Sequence, residues 1–360
     1  MNNIIIDRSL SGRVVMTGVA YENNHPGGIS AVVQYWSRYI DGLQYYPTFK
    51  EGSNITKIAV YLKSLLTLRY KLATDKNVII LHAHTAAGTD FKRTAVIVNL
   101  AKKKGLKVVL HSHASSFKDF YREADANKKG WIRVVLNKAD VLIALSESWK
   151  QYFMGLGVPE GKIIILHNIT AYPQIKEVDK HEGKVRFLFM GEIGQRKGVF
   201  DLLKAIGNHK EYLKDKIELR IGGNKMEDKL RATIADYGIG DFVHFEGFVS
   251  GEKKIDLLNW ANVYVLPSFN EGLPISILEA MSYKMPIIST PVGGIPEVVD
   301  ESNGVLVTPG NDEEIYSAIR KYVDNFDLIE KQGESSFKKV ETYMPDYVSN
   351  HLKRIYENLL

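Results

Sequence analysis

The chain has 360 residues, 47 of them basic and 42 acidic for a net charge of +5, and it contains no cysteine. That composition excludes disulfides, thiolate nucleophiles and cysteine-ligated zinc. So slight a basic bias suits phosphate-bearing ligands or an anionic membrane surface and is far from a nucleic-acid signature. At about 150 residues per domain the length suits two domains.

The opening residues, MNNIIIDRSLSGRVVMTG, lack the basic-then-apolar order of a secretion signal. No run approaches the ~18 consecutive apolar residues of a membrane-spanning helix. The expectation is a cytoplasmic protein. Runs rich in Val, Ile and Leu begin at Gly12 (GRVVMTGVA), Asn77 (NVIILHAHT), Leu106 (LKVVLHSHA), Ala139 (ADVLIALSE) and Lys162 (KIIILHNI). They are continuous rather than alternating, as in strands buried on both faces. Helical patterns such as ISAVVQYWSRYIDGL and FKRTAVIVNLAKKKG stand between them, so the first half reads as βαβ units around a parallel sheet.

The stretch from Thr56, TKIAVYLKSLLTLRYKLATDK, is basic and amphipathic. Two readings fit it: a helix lying on an anionic membrane, or one packed on the sheet with its lysines in water. Thr170 to Gly183 is polar, lacks a core pattern and reads as an inter-domain linker. The alternation then restarts at KVRFLFMGE and continues through GVFDLLKAI, IELRIGG, DFVHFEGF, NVYVLPS and MPIISTPV. The expected fold is α/β, with two doubly wound, Rossmann-like domains at 1–170 and 171–344. A closing helix over 345–360, apolar at Tyr347, Leu352, Ile355, Tyr356 and Leu359, is expected to pack back on the first.

In open parallel sheets, ligands sit beyond the carboxyl ends of the strands, where helix N-termini point. There SFNEGLPISILEAMSYK, from Ser268, carries the strongest signal. Gly272 lets backbone approach a ligand closely. Pro274 suits a first helical position, and the amides of Leu273 and its successors can cradle phosphate oxygens. Glu279, one turn further in, offers two acceptor oxygens suited to ribose hydroxyls. In GEIGQRKGVFDLL, Arg196 and Lys197 precede a helix and make an anion site for a leaving diphosphate. Gly27 and Gly28 head the helix after the first strand.

Two glutamates with seven residues between them, in the setting N-E-G-x-P-x-x-x-x-E-A followed by P-I-I-x-T-x-V-G-G-x-P-E, resemble glycosyltransferase family 4, a retaining group with the GT-B fold. The resemblance extends over nearly the whole chain, including HPGGIS and the MGE-x-x-x-RKG segment. It implies a cleft between two facing domains and transfer of a hexose-type sugar from a nucleotide sugar, most commonly uridine-diphosphate-linked, to a glycan or lipid-linked acceptor. It also implies that Glu271 faces the transferred sugar and that Gly272 and Leu273 bind the donor diphosphate. Glu279 then holds the ribose, and Gly27 and Gly28 form a donor-phosphate loop. The family has Gly-Arg where this chain has Gly191-Glu192; Arg196 is the substitute expected for that missing cation.

Two His-x-His pairs, His82/His84 and His111/His113, end two strands with both rings of a pair on one face. A metal is not expected, since no carboxylate ligand is evident and pairs from two strands need not meet. The resemblance places a histidine of the second pair near the donor sugar, His111 with His113 as competitor, and leaves His82 and His84 as structural residues. No Asp-x-Asp pair is present, so transfer is expected to need no metal or other cofactor. Segments from His84 and Ser115 are candidate acceptor loops. The setting implied is cell-surface polysaccharide assembly on the inner membrane face, with a possible peripheral membrane contact and no nucleic-acid partner. A nucleotide-sugar 2-epimerase shares the architecture, and a catalytically degenerate binding subunit is the non-enzymatic alternative; a phosphorylase is disfavoured by the short chain.

Overall fold

The computed structural model describes residues 4–21, 28–113, 116–177 and 183–360. It divides into two compact units, one of residues 1–169 with 343–360 and one of 170–342. The first holds β1 (Val14–Val19), β2 (Tyr45–Phe49), β3 (Ile80–Thr85), β4 (Lys107–Ser112), β5 (Val141–Ala144) and β6 (Ile163–Ile165). They form one sheet in the order β2-β1-β3-β4-β5-β6, and every pairing is parallel.

The second unit holds β7 (Val185–Met190), β8 (Ile217–Gly222), β9 (Val243–Gly247), β10 (Val263–Leu266), β11 (Ile287–Ser289) and β12 (Gly304–Leu306). Its order, β12-β11-β10-β7-β8-β9, is that of the dinucleotide-binding Rossmann fold, with the direction of winding reversing between β7 and β10. The first sheet is wound differently and reverses between β1 and β3. At those reversals successive crossover helices leave to opposite faces, which opens a crevice at the carboxyl ends of the two central strands.

Strand burial follows the continuous apolar pattern: β3 and β10 are buried throughout. One face of β3 and β4 presents Leu81, Ala83, Val108 and Leu110 to a core completed by Phe91, Val98, Ile132 and Phe153. The other face carries histidines. The strand β2 has no counterpart among the apolar runs because it is aromatic and contains Pro47. It lies at the sheet edge, where a missing N–H costs no ladder bond on the solvent side.

The linker's described part is fastened to the second unit. The Gln174 and Lys176 amides donate to the Tyr283 hydroxyl and Asn259 Oδ1 at 3.0 and 2.8 Å, while Asn259 Nδ2 returns a bond to the Gln174 carbonyl at 2.9 Å. The helix Pro345–Glu357 belongs to the first unit and buries Val348, Leu352, Ile355 and Tyr356. Tyr347 is exposed, so the inward position in the first turn is Val348, one residue later than the sequence pattern placed it.

The helix Asn54–Thr74 is capped by Ser53, whose hydroxyl accepts from the Thr56 amide, and it packs on β2 and on the helix Thr89–Lys103. Its inward face is narrow: Ser64, Leu68 and Leu72 are buried, while Leu66, two positions from Leu68, is 67% exposed. Truncating Leu68 to Ala is expected to cost about 2–4 kcal/mol, through lost burial and the cavity left behind. Leu66→Ala should change stability by less than about 0.5 kcal/mol. Urea unfolding of the two variants measures the difference.

Candidate functional site

Beyond the reversal of the second sheet, the loops after β7 and β10 meet. Glu271, in the loop after β10, is only 6% exposed. It accepts hydrogen bonds from Lys197 Nζ and, at 2.8 Å, from Ser268 Oγ. Arg196 lies 3.7 Å from its other oxygen and donates to the Asn270 carbonyl at 3.1 Å. The Phe269 amide donates to the Arg196 carbonyl at 2.8 Å, joining the two loops by backbone. A buried carboxylate needs such compensation, since leaving it unpaired in a low-dielectric setting is costly.

Glycine makes the approach close enough. Gly198 has φ +71°, and a side chain there would run into the Pro267 carbonyl. The loop after β11 closes on the same residues: Gly293 has φ +59° beneath the Glu271 carbonyl, and the Gly294 amide donates to the Gly272 carbonyl at 2.6 Å. Thr290 Oγ1 donates to the Ser268 carbonyl at 2.6 Å. Glu271 is therefore held by three strand-end loops.

The helix Ile275–Ser282 follows, with Pro274 at its N-cap in extended conformation rather than at its first helical residue. Leu273 is buried and Gly272 turns the chain into that cap. The first amides of any helix lack intrahelical acceptors, so this end offers donors beside Glu271. Glu279 sits in the middle of the helix, nearly buried, and accepts from Lys254 Nζ at 2.6 Å. Lys254, from the helix Gly251–Trp260, was not singled out in the sequence. It is half-buried, and a single lysine within a polar helical stretch gives no periodic signal.

Glu192, the departure from the family pattern, pairs with Lys225 at 3.3 Å and stands 4.0 Å from Arg196. Lys225 also escaped the sequence reading, although it follows β8 at the carboxyl edge. It holds φ +94° without being glycine, a conformation that costs about 1–3 kcal/mol and recurs at functional sites. Arg196 is thus committed to Glu271, Asn270 and Glu192.

In the first unit, Gly28 begins the helix Gly28–Trp36 and is exposed; Gly27 lies outside the described residues. The two histidine pairs, which the sequence left free to lie apart, do meet. Because β3 and β4 are neighbours in parallel register, His84 stands beside His111, and all four rings share one face. His82 Nε2 lies 3.3 Å from His111 Nδ1, and His84 Nδ1 lies 2.8 Å from His113 Nε2. The Tyr356 hydroxyl closes the row at 2.6 Å from His82 Nδ1. Trp36 lies against His82, His84 and His111 with ring centres about 5.5 Å away.

His111 is wholly buried, whereas His113 at the strand end is partly exposed. Of the two rings, His113 is the more exposed. The ligand nitrogens of His82, His84 and His111 lie within 4.8 Å of one another, close enough for one ion to be held. His84 Nε2 and His111 Nε2 are buried with no hydrogen-bond partner among the described residues.

Two expectations follow. Burial, reinforced by the neighbouring His113, pushes His82 down to about 3, and burial likewise holds His84 and His111 well below the usual histidine value. These rings are neutral in the folded state, while in the unfolded chain they take up protons below about 6.5. Stability should be full above pH 6.5 and decline as pH falls toward 3. His82→Gln should make that decline shallower in melting curves recorded across the range. Separately, Lys197→Ala leaves a buried carboxylate without its nearest cation and should cost about 3–5 kcal/mol. Adding Glu271→Gln should restore most of the loss in a double-mutant cycle.

Residues 172–339 match the family model "Glycosyl transferases group 1", and residues 27–170 match "Glycosyltransferase Family 4". An uncharacterized glycosyltransferase of Methanocaldococcus jannaschii is 27% identical, over 72% of this chain and 69% of its own length. The putative teichuronic acid biosynthesis glycosyltransferase TuaC of Bacillus subtilis is 25% identical over 68% and 61%. The amylovoran biosynthesis glycosyltransferase AmsK of Erwinia amylovora is 27% identical over 54% of this chain and only 50% of its own length. Among solved structures, Anabaena HepE in complex with UDP and glucose superposes with a TM-score of 0.74 at 14% identity, covering 97% of this chain and all of that one. The sucrose-phosphate synthase of Thermosynechococcus elongatus gives 0.76 at 15% identity, covering 96% and 99%. The chain belongs to the GT-B glycosyltransferases, its first unit carrying the family 4 domain and its second the group 1 domain.

Proposed function

We propose that the protein is a retaining glycosyltransferase that moves a hexose-type sugar from a uridine-diphosphate-linked donor to a glycan or lipid-linked acceptor in cell-surface polysaccharide assembly. The observation that carries this reading is the Lys197–Glu271–Arg196 cluster at the reversal of the second sheet, beside a helix N-terminus. Relatives named for amylovoran and teichuronic acid biosynthesis support the setting, and the HepE structure, a complex with UDP and glucose, supports the donor class.

Breaking the bond from sugar to diphosphate leaves the anomeric carbon electron-poor while negative charge grows on the departing oxygen. Stabilising that charge with donors already in place is the main electrostatic task. Lys197 and Arg196 supply it, joined by the amides of Gly272, Leu273 and the helix that follows. Glu271 accepts from sugar hydroxyls, and Glu279 from the ribose. In the first unit, His113 is assigned the sugar-side role that the resemblance gave to a histidine of this pair. Gly27 and Gly28 are assigned to the donor phosphates. No step in this scheme calls for a divalent ion.

A thermal-shift screen against a nucleotide-sugar panel tests the donor, because a ligand bound only by the folded state raises the melting temperature. With the donor in hand, Lys197→Ala should depress turnover by about 10²-fold or more, Glu279→Ala should weaken donor binding, and transfer should persist in EDTA. Nucleoside diphosphate should be released only with acceptor present. Conversion of the donor to its 2-epimer without acceptor would favour the epimerase, binding without turnover the degenerate subunit, and loss of activity in EDTA would sink the metal-free scheme.

A further inference from the structure

The helix Asn54–Thr74 presents its apolar residues outward as well as inward. Ile55, Ile58, Leu62, Leu66 and Tyr70 are between 50% and 80% exposed. At 100° per residue they fall on one stripe, together with the exposed Ala59 and Ala73. The stripe is about 22 Å long at 1.5 Å per residue. Scattered exposed apolar residues need no explanation, but a contiguous row of this size on one helix marks a surface that is covered in use.

Charge narrows what covers it. The helix contains Lys57, Lys63, Arg69 and Lys71 and no acidic residue. The helix Thr89–Lys103 packed beside it adds Lys92, Arg93, Lys102 and Lys103 against the single carboxylate Asp90. A second copy of this face would bring like charges together. A surface of anionic headgroups over acyl chains would satisfy both the cations and the apolar row. No helix among the described residues is long and apolar enough to cross a membrane, so such contact would lie in the interface.

We propose that the outer face of Asn54–Thr74 docks the protein on an anionic lipid bilayer. The helix begins five residues after the end of β2, so Ile55 lies at the carboxyl edge of the first sheet and Tyr70 toward the opposite edge. Docking along the stripe holds that carboxyl edge, which carries His113, beside the headgroups. Resting on the transferase reading, this makes the acceptor a lipid-linked one, met at the membrane.

Co-sedimentation of the full chain with vesicles of about 40 mol% phosphatidylglycerol in phosphatidylcholine, against phosphatidylcholine alone, reads the proposal. The protein should partition at least about tenfold more strongly to the anionic vesicles and be released by salt. The variant Ile55→Ser/Leu62→Ser/Leu66→Ser should lose at least about tenfold in partitioning, with its melting temperature and nucleotide-sugar shift unchanged. Lys63→Glu/Arg69→Glu, which leaves every apolar residue in place, should lose anionic selectivity and serves if the triple variant misfolds. Wild-type protein left in the supernatant, or partitioning unchanged in a folded variant, would overturn the proposal. So would a concentration-dependent dimer that the triple variant dissolves, since the face would then belong to a second copy. Vesicle binding needs no donor, so a failed nucleotide-sugar screen would count against the transferase reading alone.

Discussion

Placing a carboxylate under three strand-end loops constrains how the carboxyl edge of the second unit is built. Glu271 is almost without solvent, and each oxygen must find positive charge or a donor from nearby chain. Lys197 and Ser268 answer for one oxygen, and Arg196 stands over the other. Meeting that demand draws the loop after β7 onto the loop after β10, and the contact closes only because Gly198 leaves room under Pro267. The reversal of strand order puts those two strands side by side. Topology supplies the adjacency, glycine the distance, and the ion pair the hold.

The arrangement also decides how a phosphate would be received. The cations are already engaged with glutamate, so a diphosphate enters by sharing or displacing an existing partner. A site of that kind is preorganised: the side chains are fixed before the ligand arrives, and little ordering remains to be done on binding. The histidine row in the first unit follows a similar logic with neutral groups. Desolvation keeps the rings uncharged, and each pair shares one hydrogen bond while His84 Nε2 and His111 Nε2 stay without a partner among the described residues.

Much of this was legible in the residues. Buried strands announce themselves as unbroken Val, Ile and Leu runs, and β1, β3, β4, β7 and β10 all lie within the runs so identified. The edge strand β2 did not, because Pro47 and its aromatic composition suppress the signal a central strand would give. Glu271, Glu279, Arg196 and Lys197 stood out through spacing and strand-end position. Their pairing did not, because it depends on which strands are neighbours at the reversal, something a linear pattern does not encode. Lys254 and Lys225 were invisible for a related reason: each is an ordinary surface lysine in sequence and gains meaning only from the carboxylate it meets. The two His-x-His pairs showed that rings share a face on each strand. That the two strands are adjacent and in register, and hence that four rings form one row, needed the sheet.

The hydrogen bond between Tyr356 and His82 spans 274 positions of sequence and has a consequence for the order in which the molecule comes into being. Residues 170–342 are complete as a compact unit before the helix Pro345–Glu357 has been synthesised. The first unit, although begun earlier, lacks that helix until later. On the ribosome the usual N-terminal-first order is therefore modified: the second unit can finish while the first still exposes the surface that Leu352, Ile355 and Tyr356 will cover. That interval is when the nascent chain most needs protection, and it ends only when the last turns emerge to seal the histidine row.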